Sequence, residues 1–331
     1  YVIKGVAEPD KSKQVCIKEK FGLSEDCIFE TDKEFLEQER LSDVAIVSTQ
    51  DRLHKSEVMN LLDKGYDIIL EKPISTSLDD VMEVYWHAKK YPHQTVVVCH
   101  VLRYALFFNT IKKIIESREI GNVVTIAHNE NIGYYHFAHS YVRGPWNNSS
   151  ASAPLMVTKS CHDMDILLYL LGDKHARRIS SFGGLSYFSK KNFDGDKMAE
   201  YCVDCSVEKT CPYSAIKIYA GNKIKSVVFD LSSVEKVREN LGSSRYGRCV
   251  FNCDNNVVDH QSTIIEFDDA ITATFSLSAF TAKVNRTLNV TCEKGEIRAA
   301  EKPYAIEVTN FLTGETKKLN LNIGESGHRV Y

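Results

Sequence analysis

Hydrophobic positions in the first third of the chain fall in short blocks separated by longer amphipathic stretches. Residues 2–7 form a brief apolar run that stops at Glu8-Pro9-Asp10. A polar, helix-like stretch follows, and Asp10 is placed to cap it. Residues 43–47 make a short β-branched block of the kind found in buried strands. Asp51 then opens a helix with Val58, Leu61 and Leu62 at core spacing and Gly65 as its stop. Residues 67–70 give the next strand. Leu78, Val81, Met82, Tyr85 and Ala88 form a helical stripe, and 95–99 is another strand. Strand, helix, strand, helix, strand predicts a parallel sheet with right-handed crossovers.

The rhythm changes after about Arg103. One helix carries Phe107, Ile111, Ile114 and Ile115. A second begins near His162 and runs through Leu167, Leu168 and Leu171 to Gly172. Strands dominate afterwards. Residues 263–267 and 271–277 read as a hairpin about Asp268-Asp269, and 286–292 and 296–300 turn at Lys294-Gly295. The pattern predicts an open, mostly antiparallel sheet with a few helices on one face. A length of 331 residues fits two domains, divided here as 1–103 and 104–331.

Composition narrows the class. The chain is 43% hydrophobic and 26% charged, which excludes a disordered chain. Its 41 Lys and Arg against 44 Asp and Glu leave a formal charge of −3, with no polybasic footprint for nucleic acid or an anionic membrane. No apolar run approaches the ~20 residues of a membrane span, and no basic-then-apolar leader is visible. The expected location is therefore the cytoplasm. Ten cysteines are too few for a disulfide scaffold of this length and are expected to be reduced.

Ligands of a parallel α/β sheet bind beyond the carboxyl ends of its strands. Three such ends carry polar chemistry: Glu8, Ser48-Thr49-Gln50, and Glu71-Lys72-Pro73. A carboxylate at the first accepts hydrogen bonds from ribose hydroxyls and repels a 2′-phosphate. A lysine at the third can polarise a hydroxyl or carbonyl oxygen, and Pro73 stiffens the turn that aims it. In Cys161-His162-Asp163-Met164-Asp165, His162 is suited to moving a proton near neutral pH, and Lys159 lies three residues before it. Taken singly, each has an ordinary reading as a capping Glu, a surface Lys or a structural His.

Together and in this order, the segments resemble the Gfo/Idh/MocA oxidoreductases. The matching residues are Val6-Ala7-Glu8-Pro9-Asp10, residues 43–50 with His54, Glu71-Lys72-Pro73, and His100-Val101-Leu102-Arg103-Tyr104. Gly121-Asn122-Val123 and His162-Asp163-Met164-Asp165-Ile166-Leu167 complete the pattern, so the likeness spans almost the whole chain. The resemblance implies a Rossmann domain and a C-terminal α+β domain whose open sheet is often used to form homo-oligomers. It implies NAD, with NADP as an alternative, and a sugar, inositol or related polyol or ketone as substrate. By position, Glu8 would hold the adenosine ribose. Ser48, Thr49, Gln50, His54 and Arg103 would line the cofactor. Glu71, Lys72 and Pro73 would sit near the nicotinamide, with Lys72 on the reacting oxygen and His162 transferring the proton.

Two departures stand out. The family's glycine-rich phosphate loop has no match, which is expected if its first strand and loop lie before Tyr1. Many members carry Asp four residues before the His, where this chain has Thr158. Lys159 and His162 are therefore expected to share the proton-transferring task with Lys72. Relatives with the same fold include NAD-dependent glycoside-cleaving enzymes and non-catalytic sugar-sensing regulators, and these are the alternative functions.

Two further segments invite specific expectations. His136, His139, Tyr141, Arg143 and Trp146 supply the aromatic faces and donors that suit a sugar ring. Cys202-x2-Cys205-x5-Cys211-Pro212 has the spacing of a metal knuckle lacking one ligand. Cys253, or less favourably Cys249, would complete a structural zinc site in an insert near 202–211.

Overall fold

The computed structural model describes residues 1–221, 224 and 230–322. Internal contacts divide the chain into two units, Tyr1–Cys99 and His100–Tyr331. In the first, β1 (Val6–Ala7) pairs in parallel with β2 (Ile28–Phe29), while β3 (Val44–Val47), β4 (Asp67–Leu70) and β5 (Val96–Val98) form a separate parallel sheet in that order. The helices are α1 (Lys11–Phe21), α2 (Asp32–Glu37), α3 (His54–Asp63) and α4 (Leu78–Ala88). Asp10 caps α1, its carboxylate accepting from the Ser12 and Lys13 amides at 2.9 and 3.4 Å. Gly65, at φ 87°, adopts the left-handed turn that ends α3.

Only the last two residues of the expected 2–7 strand pair. An apolar cleft of about 370 Å³ lies between β1 and β3, lined by Val6, Phe21, Leu36, Val44 and Ile46 among others. Ile46 is 61% exposed there, an unusual state for the centre of a parallel strand.

Helix α4 is turned differently from its sequence stripe. Leu78, Met82 and Tyr85 are exposed, and Val84 is the buried residue. Its inner face is set by polar contacts with α3. Lys55 pairs with Asp80 at 2.8 Å and Glu83 at 2.7 Å, and His87 meets Asp63 at 2.7 Å. Positions 80, 83, 84 and 87 share one helical side, opposite Met82.

The second unit holds α5 (Leu106–Ser117), β6 (Val123–Asn131), α6 (Tyr134–Phe137) running into a π-helical turn (Ala138–Arg143), α7 (Leu155–Thr158), α8 (Cys161–Leu171) and β7 (Ala176–Gly184). It continues with α9 (Ala215–Ala220), α10 (Val234–Leu241), β8 (His260–Phe267), β9 (Thr272–Ser278), β10 (Asn285–Cys292), β11 (Gly295–Ala300), β12 (Ala305–Asn310) and β13 (Thr316–Asn320). The eight strands run β13-β12-β11-β10-β6-β9-β8-β7, antiparallel except where β6 meets β9. Both expected hairpins form, the first turning through Asp269 and Ala270 at φ 57° and 58°.

One face of this sheet is the core. Phe107, Phe108, Ile111 and Ile115 of α5 and Ile166, Leu167 and Leu170 of α8 pack against Ile126, Leu288, Val290 and Ile297. Strand alternation turns the other positions outward. That face is mostly small and polar: Thr125, Asn129, Thr272, Thr274, Ser276, Thr287 and Asn289, with Ile264 exposed near the β7 edge. The insert between β7 and β8 shares a second core, in which Phe188, Tyr213, Tyr219 and Phe251 gather with Phe137, Leu155 and Phe275. Among the described residues no helix is long and apolar enough to cross a membrane.

Candidate active site

The first unit places the predicted strand-end residues at the carboxyl ends of β1, β3 and β4. Glu8 follows β1 directly. Its Oε1 accepts the Asp10 amide at 3.0 Å, and 22% of its side chain stays exposed. Ser48, Thr49 and Gln50 are exposed at the end of β3, with the Thr49 hydroxyl donating to Glu57 at 2.6 Å. Burial pushes the Glu57 carboxyl up in pKa, and the Thr49 bond opposes it. Glu71 continues the sheet ladder, its amide bonding the Val47 carbonyl at 2.8 Å. Lys72 is half-buried beside it, and its backbone N–H donates to the Glu71 carboxylate at 3.3 Å.

His54 lies between two strand-end loops. It is 1% exposed, with Nδ1 2.8 Å from the Pro73 carbonyl and Nε2 3.3 Å from that of Thr49. It therefore ties the loop after β3 to the loop after β4, and acts on any ligand through their backbone.

In the second unit, a group of charges is buried where β6, β10 and α8 meet. Arg286 and Glu130 face each other directly across the β10–β6 pair. Arg286 Nε lies 2.8 Å from both Glu130 Oε2 and Asp163 Oδ1, and its Nη1 is 3.5 Å from Glu301. His128, one strand period from Glu130, approaches Asp163 Oδ1 at 2.8 Å. Lys159, just after α7, meets Glu130 Oε1 at 2.7 Å. Glu130 and Asp163 are fully buried, while Lys159 keeps 14% of its side chain exposed.

Burial opposes the charge on Asp163, but Arg286 and then His128 outweigh it and hold the carboxyl well below the usual range. Burial also opposes the Arg286 charge. Asp163, Glu130 and Glu301 overcome it and raise its pKa. Asp163 thus belongs to the buried network, one residue after His162.

His162 is half-buried, and its ring stands edge-on to His100 with centroids 5.9 Å apart. His136 lies nearly parallel to Tyr141, at 6.2 Å and 21°, and Trp146 is 6.3 Å from Tyr141 on centroids. Burial, and then the Lys159 charge, push His136 down to about 4. Burial, followed by Arg143, brings His139 to the same value. Burial and the nearby Glu130 charge raise Tyr141. His136 and Tyr141 are therefore neutral near pH 7, and Tyr141 is buried at 5% exposure.

Two of the expected residues, Arg103 and Arg143, have partners within the second unit. Arg103 is bound edge-on by Asp165 of α8, at 2.8 and 2.6 Å, with its guanidinium 5.4 Å from the Tyr169 ring centre. Arg143 is 2% exposed. It donates to the carbonyls of Arg248 and Tyr213 at 2.7 and 2.8 Å, and so fastens the π-turn to the insert.

The zinc expectation is corrected. Among the described residues no group of three or more His, Cys, Asp or Glu side chains is arranged to hold a metal ion. Cys202, Cys205, Cys211 and Cys249 do line one cavity, but Arg143 lines it too, with Nη2 3.6 Å from the Cys202 sulfur. A guanidinium stands beside the thiols where a dication was expected. Cys253 points its thiol to the Cys249 carbonyl at 3.2 Å, a bond that needs the S–H proton. Burial raises Cys211 and Cys253 and takes Cys249 to about 11, all favouring protonated thiols.

Glu130, His128, Arg286 and Glu301 were not among the expected site residues. A signal existed. His128 and Glu130 are in phase with the apolar Ile126 and Ile132, and Arg286 with Leu288 and Val290. Opposite charges on two core-facing strand phases mark a buried pair.

A family model described as oxidoreductase family, NAD-binding Rossmann fold, matches residues 1–100. One described as oxidoreductase family, C-terminal alpha/beta domain, matches 112–202. YteT of Bacillus subtilis, which carries an oxidoreductase name, is 25% identical over 307 residues, 91% of this chain and 71% of that protein. A levoglucosan dehydrogenase solved with NADH superposes with a TM-score of 0.66 at 14% identity, covering 100% of this chain and 74% of that one. An oxidoreductase domain protein from Kribbella flavida gives 0.68 at 12% identity, over 96% and 72%.

The histidines make stability depend on pH. Because the folded-state pKa of His136 lies below its ordinary value, the unfolded chain takes up its proton first as pH falls. The contribution of His136 to stability is therefore greatest above about pH 6.5 and is lost toward about pH 4. Urea unfolding at pH 7 and pH 5 checks this. His136→Gln should lose less stability than wild type over that interval, by up to about 2 kcal/mol. Equal losses would show that His136 titrates normally.

Proposed function

The chain belongs to the Gfo/Idh/MocA family of NAD-binding oxidoreductases, and on that premise we propose that it moves a hydride between a nicotinamide cofactor and a sugar, inositol or related polyol or ketone. The observation that carries this reading is the Lys159 ammonium, partly exposed and paired with the buried Glu130, three residues before His162. A substrate hydroxyl oxygen needs a charged donor of this kind as its proton leaves. The solved neighbours whose names include levoglucosan and L-sorbose are consistent with this class of ligand.

The first unit is the cofactor half. A bound nicotinamide supplies the hydride acceptor or donor. Glu8 meets the adenosine ribose, and the exposed Ser48, Thr49 and Gln50 line the dinucleotide, with His54 fixing their loop. The apolar cleft between β1 and β3 has the lining to take one further parallel strand. Glu71 and Lys72 take the nicotinamide end, where Lys72 polarises the reacting oxygen.

The second unit is the substrate half. His162 exchanges the hydroxyl proton, and Lys159 presents positive charge to the oxygen as it becomes anionic. Arg103 acts by orienting α8 through Asp165. The polar outer face of the eight-stranded sheet is assigned to self-association.

The direct test screens the full-length protein against sugars, inositols and sugar acids with both cofactors. NADH should form with at least one polyol, and kcat/KM should favour NAD over NADP because Glu8 repels the 2′-phosphate. Turnover with none, despite bound NAD, would favour a sensing role, and a preference for NADP would remove Glu8 from the ribose. Lys72→Met should cut kcat on the order of 10²-fold or more with NAD affinity held within a few-fold. A variant retaining most of its kcat sinks that role. Sedimentation of wild type and Thr274→Arg tests the outer face. An oligomer that the arginine dissociates is expected, and a wild-type monomer overturns the assignment.

A further inference from the structure

We propose that Glu130 is a positioning residue for the reaction, one that fixes the Lys159 ammonium and supplies from strand β6 the carboxylate that Thr158 cannot. This rests on the dehydrogenase reading above. Helix α7 ends at Thr158, which is 2% exposed, so that position brings no charge to the site. The next residue, Lys159, is held by its amide bond to the Leu155 carbonyl at 2.9 Å. Its side chain is long and unbranched, and left alone would sample many rotamers. The 2.7 Å contact with Glu130 selects among them.

Glu130 is itself held firmly. It projects from the core face of a central strand with none of its side chain exposed. Its second oxygen is 2.8 Å from Arg286 Nε, and the same Nε bonds Asp163. Both Glu130 oxygens meet their cations as close ion contacts without the alignment of regular hydrogen bonds. A carboxylate held in that way anchors charge while permitting small adjustments of the ammonium. The partly exposed edge of Lys159 is then the portion that meets a substrate oxygen, and Glu130 lies behind it. Asp163 joins the same network one residue from His162, so Arg286 also links the lysine to the helix that carries the histidine.

The test uses three variants of the full-length protein. Glu130→Gln keeps the volume and removes the charge. Glu130→Asp keeps the charge for Arg286 while drawing the carboxylate back from Lys159 by one methylene. Lys159→Met removes the group being positioned. Glu130→Gln should lower kcat ~10–100-fold with the KM for NAD unchanged, and Glu130→Asp should restore part of that loss. Adding Glu130→Gln to Lys159→Met should cost less than 3-fold more, because the carboxylate acts through the lysine. Independent losses that multiply in the double variant would overturn the proposal, as would wild-type kcat in both Glu130 variants. A second measurement needs no substrate. Reductive methylation of Lys159, read by peptide mass spectrometry, should be several-fold faster in Glu130→Gln and intermediate in Glu130→Asp. Unchanged labelling in Glu130→Asp refutes the pairing even if Glu130→Gln fails to fold. Changed labelling in a protein that oxidises no polyol would instead uphold the pairing and overturn the dehydrogenase reading.

Discussion

Burying a carboxylate costs several kcal/mol unless a cation meets it, and three of them converge on Arg286 beneath the second unit's sheet. That constraint dictates more of the unit than any apolar contact does. Arg286 must stand opposite Glu130, which fixes the register of β10 against β6. Asp163 must reach the same guanidinium, which fixes the rotation of α8 over the sheet. A one-residue slip of either strand would turn Glu130 or Arg286 to the outer face and leave its partners unmatched in the core. Removing one partner of such a set typically costs ~3–5 kcal/mol, because the remaining charge stays buried. The hydrophobic packing of α5 and α8 is permissive by comparison, since apolar cores tolerate swaps of similar volume.

The insert applies the same rule with a different solution. Arg143 is as deeply buried as Arg286, yet among the described residues no carboxylate pairs with it. Backbone carbonyls of Arg248 and Tyr213 and the sulfur of Cys202 accept its N–H groups instead. Neutral acceptors solvate a guanidinium less well than anions, so the site favours negative charge nearby. The surrounding thiols have raised pKa values and do not supply it. The cysteine spacing suggests a metal motif because sequence shows only how close sulfurs lie along the chain. It does not show that an arginine from a distant helical turn enters among them.

The sequence made the parallel first unit legible where pattern and chemistry coincide. The block at 43–47, the cap at Asp10 and the Glu-Lys-Pro segment after β4 all depend on local signals, and each lies where its signal indicated. Helix α4 departs from its apolar stripe because such a stripe does not reveal which neighbour the helix faces. Ion pairs from Lys55 and His87 chose another side. Strand β6 passed without notice for a related reason. His128 and Glu130 interrupt its apolar phase, so a residue-by-residue reading takes a core strand for a half-polar one. Charges that only a partner on β10 can neutralise, ~160 residues later, are invisible until that pairing is known.

On the proposed reading, the Lys159–Glu130 pair changes the sign of the charge offered to a substrate. An aspartate preceding the histidine by four residues would present a proton acceptor. Here Thr158 is buried and uncharged, the adjoining, partly exposed group is an ammonium, and a buried carboxylate of the sheet pairs with it. A cation nearest the reacting oxygen lowers the energy of an alkoxide without taking its proton. On the proposed reading the two tasks therefore separate, with Lys159 stabilising charge and His162 exchanging the proton. Such a division demands that the ammonium stay fixed while the imidazole changes state. The network meets that demand, because Lys159 is anchored to a rigid central strand. His162 sits on the helix that Asp163 and Arg286 bind to the same strand pair, so both groups share one frame.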